Sequence, residues 1–103
     1  MKVVLTHQLP EKQAVQCAKQ ILENLRHAHA NSISNVVEVW SDKKAEFSFR
    51  YRNLSVTGTI SVSATQVELE GRLPLAAMLF SGIIEDTIRK EAKQLIEKCK
   101  TEL

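Results

Sequence analysis

The chain is predicted to fold as an α+β domain of order β-α-β-β-β-β-α, a mostly antiparallel five-stranded sheet with two helices packed on one face. Three observations lead there. The chain opens on a β-branched run followed by apolar residues at helical spacing, its middle from Phe47 to Leu73 alternates apolar and polar residues, and its last third returns to helical spacing. Alternation with period 2 over consecutive segments marks a sheet with one packed and one wet face.

Lys2 to Thr6 reads as the first strand, ending before "HQLPEK". Pro10 suits a first helical turn, where its missing N–H has no partner to lose. Ala14, Cys17, Ala18, Ile21, Leu25 and Ala28 then recur at three and four residues, which predicts one helix from about Pro10 to Ala30. "NSIS" is a polar break, "NVVEVW" a second strand and "SDKK" a turn. Three alternating strands follow, carrying Phe47, Phe49 and Tyr51; Leu54, Val56, Gly58, Ile60 and Val62; and Val67, Leu69, Gly71 and Leu73. From Leu75 to Lys100, Ala76, Phe80, Ile84, Ile88, Ala92, Leu95 and Cys99 form the seam of a second helix, which Gly82 bends or divides from a short first turn.

A length of 103 residues predicts one domain, residues 1–103, able to bury roughly two thirds of the surface its unfolded chain exposes. The 14 basic residues stand interspersed with 12 acidic ones, so charge alone points to no nucleic acid. No apolar run is long enough for a bilayer span or a secretory core, which predicts a cytoplasmic protein. Cys17 and Cys99 lack metal or redox spacing; with a reducing compartment they are expected as mostly buried free thiols, the alternative being a disulfide between them if the two helices pack side by side.

Apolar residues of neighbouring strands must share a face, so register can be calculated. A loop at Ala64 and Thr65 pairs Val62 with Val67, Ile60 with Leu69, Gly58 with Gly71 and Val56 with Leu73. A turn at Arg52 and Asn53 pairs Tyr51 with Leu54, Phe49 with Val56 and Phe47 with Gly58. Phe47, Gly58 and Gly71 thus make one row whose glycines leave a hollow, with the Phe47 ring lying over a neighbouring glycine. Two readings stand side by side: the C-terminal helix fills the hollow at Phe80 or Gly82, or Phe47, Gly58, Gly71 and Phe80 bound a pocket for an apolar ligand.

The stretch "EFSFRYR" imitates the aromatic strand of an RNA-recognition module, but that module needs a strand after its second helix and a second aromatic motif. An inward aromatic row with Arg50 and Arg52 facing water is the expectation. His27 and His29 diverge on a helix and do not converge on one ion. His7 suits a cap or local hydrogen bond. Nucleophile elbow, phosphate loop and zinc-protease motifs do not occur, so no catalytic residue, metal ligand or cofactor is assigned.

The whole pattern, "THQLPEKQA", "FSF", "VTGTISV", "VELEG" and above all "LPLAAMLFSGIIEDTI", resembles the polyhydroxyalkanoic acid system family of small bacterial proteins. His7, Leu9, Gly58, Gly71, Leu73, Pro74, Phe80, Gly82, Ile84, Glu85 and Ile88 occupy positions of that pattern; Ser81 stands where lysine is common. The resemblance implies a non-enzymatic accessory role at polyhydroxyalkanoate granules or with granule proteins, and supplies no catalytic residues. Granule contact would use an exposed apolar segment, for which "LAAMLFSGII" with Met78, Leu79 and Phe80 is the candidate. The same segment would instead be covered by the other helix or by a second subunit in a homodimer. A small carrier of fatty-acyl-like ligands and a protein-interaction module are the alternative functions. A long C-terminal helix against a curved sheet is similar to a reduced helix-grip arrangement, by analogy of fold alone.

Overall fold

In a computed structural model, which describes residues 1–101, five strands form one sheet: β1 (Lys2–Thr6), β2 (Ile33–Ser41), β3 (Lys44–Tyr51), β4 (Leu54–Val62) and β5 (Gln66–Arg72). The order across the sheet is β1-β5-β4-β3-β2, with every neighbour antiparallel. Four strands run as a meander, and β1 closes the far side beside β5. The helices α1 (Glu11–Ala18) and α2 (Ile21–Ala28) therefore carry the chain from one edge of the sheet to the other.

The calculated register holds. Val62 faces Val67, Ile60 faces Leu69 and Gly58 faces Gly71, while Tyr51, Phe49 and Phe47 face Leu54, Val56 and Gly58. The ladder between β4 and β5 ends at Thr57 and Arg72, one residue short of the expected Val56–Leu73 pair. Arg52 and Asn53 have φ of 49° and 69°, the left-handed pair that a two-residue hairpin of type I′ requires. Asp42 plays a similar part between β2 and β3, with φ of 56°. In β2 the pairing shifts between Ser34 and Val37 around Asn35, a bulge at φ 54°.

Inward residues of the strands, Val3, Phe49, Val56, Ile60 and Leu69 among them, pack with Cys17, Ile21, Leu22 and Leu25 and with Ile84, Ile88 and Leu95 in one core. Phe47 and Phe49 stack with ring centroids 5.9 Å apart, both buried, so the aromatic strand is an inner row. The opposite face carries Ser48, Thr57, Ser61, Glu68 and Arg72.

His7 is the one buried polar side chain among the described residues that closes a loop. The Leu9 amide donates to His7 Nδ1 at 3.2 Å, and His7 Nε2 lies 2.9 Å from the Ser63 carbonyl. An amide can only donate and a carbonyl only accept, so Nδ1 is the acceptor and Nε2 carries the proton. With its own N–H on the Thr65 carbonyl, His7 ties the β1–α1 loop to the β4–β5 loop.

Both expected helices are broken, the first at its middle and the second near its start. At Lys19 and Gln20 both residues keep right-handed angles, but the Gln20 amide bonds the Cys17 carbonyl three residues back, a 3₁₀ step. That step turns α2 toward α4 and β2, whereas α1 meets α4 and β4. Near the C-terminus, α3 (Leu75–Met78) is a single turn and α4 runs Ser81–Thr101. The break lies at Leu79 and Phe80, ahead of Gly82, and it moves the seam by one residue: Ala77 is buried and Ala76 is exposed.

Cys17 and Cys99 are joined by a disulfide, with Cα atoms 6.4 Å apart, which overturns the expectation of free thiols. The reason is packing. α1 and α4 lie side by side, so the buried Cys17 and the half-buried Cys99 in the last turns of the two helices face one another.

Candidate surface-contact site

The site begins with Pro74, whose φ of −63° and ψ of 158° end the extended chain after β5 and set the start of α3. The Ala77 and Met78 amides both close on the Pro74 carbonyl, at 2.8 and 3.2 Å, and the Phe80 amide on Ala77 at 2.9 Å. One turn of helix offers little surface to a core. Ala77 takes the inward position and Phe80 is half-buried against the core cluster. The larger side chains are left outside.

Leu75 and Leu79 are 86% and 87% exposed, and Met78 and Ile83 are 56% and 58% exposed. Between Arg72 and Glu85 the chain has no charged residue, so nothing within the segment competes for water against this apolar cluster. Gly82 adds to its openness, because a Cβ built there meets no atom within 4 Å. Gly82 is thus not a point of close helix–sheet approach. Of the three side chains expected to make a surface contact, Met78 and Leu79 lie outside and Phe80 anchors the segment. Leu75 and Ile83 join the cluster without having been singled out. Their signal in the sequence was the length of the neutral run, longer than one helical face can bury.

Covering these four side chains would release about 6 kcal/mol of gross transfer free energy, taking about 2 kcal/mol for a fully buried side chain of this size and the exposures above. Docking two proteins costs about 4–15 kcal/mol in lost freedom of motion alone. The patch by itself therefore suits weak, reversible attachment.

The row Phe47, Gly58 and Gly71 lies abreast across three strands. Its hollow is filled from within. A Cβ on Gly58 would stand 2.7 Å from Phe47 Cζ and inside contact with the Glu70 carbonyl oxygen; a Cβ on Gly71 would strike the terminal methyl of Met1. The three atoms nearest each added Cβ belong to Phe47, to the β5 backbone and to Met1, and none to Phe80. A depression of about 340 Å³ instead opens on the far side of the sheet, floored by the backbone of Phe47 and Gly58 and walled by Val37, Val39 and Arg72. Val37 and Val39 are exposed there.

Ion pairs shape the rest of the surface. Glu11 holds Lys43, tying the start of α1 to the β2–β3 turn and raising the Lys43 pKa above its ordinary value through the hydrogen bond and the charge. Lys2 is raised likewise by its hydrogen bond to Glu68. His27 Nε2 meets Glu23 at 3.1 Å and His29 Nε2 stands 3.6 Å from Glu91, so the two imidazoles serve different contacts. Among the described residues no three His, Cys, Asp or Glu side chains gather as a metal site, and no helix is long and apolar enough to cross a membrane.

No curated protein matches the chain, and no solved structure does. A family model does, over residues 1–96, which takes in all five strands, the disulfide partner Cys17 and the whole apolar segment. The chain belongs to the family described as putative polyhydroxyalkanoic acid system protein.

Proposed function

We propose that this protein is a non-enzymatic, cytoplasmic accessory protein of polyhydroxyalkanoate storage that rests reversibly on the granule surface through Leu75, Met78, Leu79 and Ile83. The observation that carries the reading is the exposure of those four side chains in an uncharged segment. A polymer granule is an apolar surface without a shape to match, and a knob of large flexible side chains needs no shape complementarity. The family's description, which names the polyhydroxyalkanoic acid system, supports the choice of this polymer as the surface. A carrier holding a fatty-acyl-like ligand over Gly58 and Gly71 has less support, because Phe47 and Met1 occupy that space.

The test is co-sedimentation of the purified chain with polyhydroxyalkanoate particles, against the double variant Leu75→Ser, Leu79→Ser. Both side chains are almost wholly exposed, so the fold is retained and circular dichroism checks it. Each loss of a leucine contact is worth about 2 kcal/mol, and partition onto particles should fall about a hundredfold or more. Equal sedimentation of the folded variant would refute the reading. A concentration-dependent dimer that the same double variant abolishes would assign the patch to a second copy instead.

A further inference from the structure

β1 has β5 on one side and, among the described residues, no strand on the other. The Gly71 amide donates to the Met1 carbonyl at 2.8 Å and the His7 amide to the Thr65 carbonyl at 2.9 Å. In an antiparallel ladder the residues that bond a neighbour alternate, so Met1, Val3, Leu5 and His7 face β5. Lys2, Val4 and Thr6 then direct their N–H and C=O groups away from the sheet, as an unpaired edge.

That edge does not open onto bare solvent. α4 packs beside β1, and the two enclose a groove of about 360 Å³. Leu5 and Ile96 supply its apolar floor; Arg89, Lys93 and Lys100 stand on the helix side with one acid, Glu97. Glu85 partly occupies Arg89 at 3.0 Å and Glu97 lies 3.7 Å from Lys100, but Lys93 has no ion-pair partner among the described residues. The groove is net basic. Arg89 and Lys93 are four residues apart, a rise of about 6 Å along the helix, close to the repeat of about 6.6 Å between same-side residues of a strand.

We propose that the groove between β1 and α4 is a peptide site that takes an extended acidic segment of a partner protein as a sixth strand. The segment's backbone pairs with Lys2, Val4 and Thr6, and carboxylates on alternate residues meet Arg89 and Lys93. Strand addition in a groove between a sheet edge and a helix gives affinity through the main chain and selectivity through alternate side chains. A second copy is the poorer occupant, because joining β1 to β1 would bring two basic α4 faces together. This site is separate from the apolar patch: Lys93 is ten residues beyond Ile83, about 15 Å along α4.

The experiment titrates the isotope-labelled full chain with a capped hexapeptide alternating glutamate and valine, and with its lysine–valine counterpart, followed by amide NMR. The acidic peptide should bind saturably and lose affinity with added salt. The amides of Lys2, Val4 and Thr6 should shift and gain protection from exchange. Lys93→Glu, at an exposed position, should weaken binding at least tenfold, and Val4→Pro, which removes an outward N–H, should abolish it. The Leu75→Ser, Leu79→Ser variant should bind the peptide unchanged, separating this site from the granule reading. Equal binding of the lysine peptide, indifference to Lys93→Glu in the folded variant, or absence of binding would overturn the proposal. So would protection of the same three amides by self-association without peptide.

Discussion

Gly58 and Gly71 face each other across β4 and β5, yet they should respond to alanine in opposite ways. Replacing a strand glycine by alanine gains about 0.5–1 kcal/mol from the reduced freedom of the unfolded chain. Neither residue has a positive φ, so backbone conformation forbids neither change. Space decides. At Gly58 the new methyl falls inside contact with the Glu70 carbonyl oxygen, lies 2.7 Å from Phe47 Cζ and 3.0 Å from Gly71 Cα. Two of those atoms are backbone of β5, held between β4 and β1, and move only if strands part. Overpacking of this kind costs about 1–3 kcal/mol, and a clash with main chain belongs at the upper end, for a net loss of about 2 kcal/mol. In a domain of this size that lowers the melting temperature by about 10–15 °C. At Gly71 the obstacle is the tip of the Met1 side chain, free to swing aside, and the net change should stay within about 0.5 kcal/mol. Urea and thermal unfolding of both variants measure the contrast, and Phe47→Leu, which removes Cζ, should reduce the cost of Gly58→Ala by a measurable coupling energy. If Gly58→Ala is as stable as the parent, or Gly71→Ala as damaged as Gly58→Ala, the account of this row fails.

Two other predictions concern the closure of the chain. The Cys17–Cys99 bond spans a sequence separation of 82 residues, so in the chain-entropy treatment its removal costs about 4.5 kcal/mol; Cys17→Ala with Cys99→Ala, or reductant, should lower the unfolding midpoint accordingly, and titration of two free thiols in the unreduced, denatured protein would contradict the bond itself. At the β3–β4 hairpin, Arg52 holds a φ of 49° at a cost of about 1 kcal/mol, so Arg52→Asn with Asn53→Gly should stabilise the fold by about 1 kcal/mol in urea unfolding, unless the stacking of the Arg52 guanidinium 5.5 Å over Tyr51 outweighs the gain and the variant unfolds earlier.

The sheet was legible because its signals are local and redundant. Period-2 alternation fixes which face of β3, β4 and β5 is buried, and once Arg52–Asn53 and Ala64–Thr65 are turns, no second register keeps Phe49, Val56, Ile60 and Leu69 on that face. The helix breaks were hidden for the opposite reason. Lys19, Gln20 and Leu79 are good helix formers that keep right-handed angles, so only tertiary packing decides that a 3₁₀ step interrupts them. One displaced residue then exchanged Ala76 for Ala77 in the seam and turned Leu75 outward. Met1 over Gly71 carried no pattern at all, since a terminal residue belongs to no periodicity. The disulfide was missed because the pairing depends on how α1 lies on α4, which no local pattern in the sequence carries.

The disulfide and the apolar patch are tied to the same helix but not to the same task. From Cys99 back to Ile83 is sixteen residues, about 24 Å of α4. Between them Ile84, Ile88, Ala92, Leu95 and Ile96 are buried against the other helices and the sheet, and that seam holds α4 in place without the sulfur bridge. Reduction would release the constraint that the bridge places on the unfolded chain, leaving the seam and the exposed Leu75 and Leu79 where they are. In a reducing compartment, where such a bond is kept open, the chain would be less stable, and the granule contact proposed above would be unchanged. If reduced and oxidised protein sediment differently with polymer particles below both melting temperatures, the bridge positions the patch, and the seam is weaker than its burial implies.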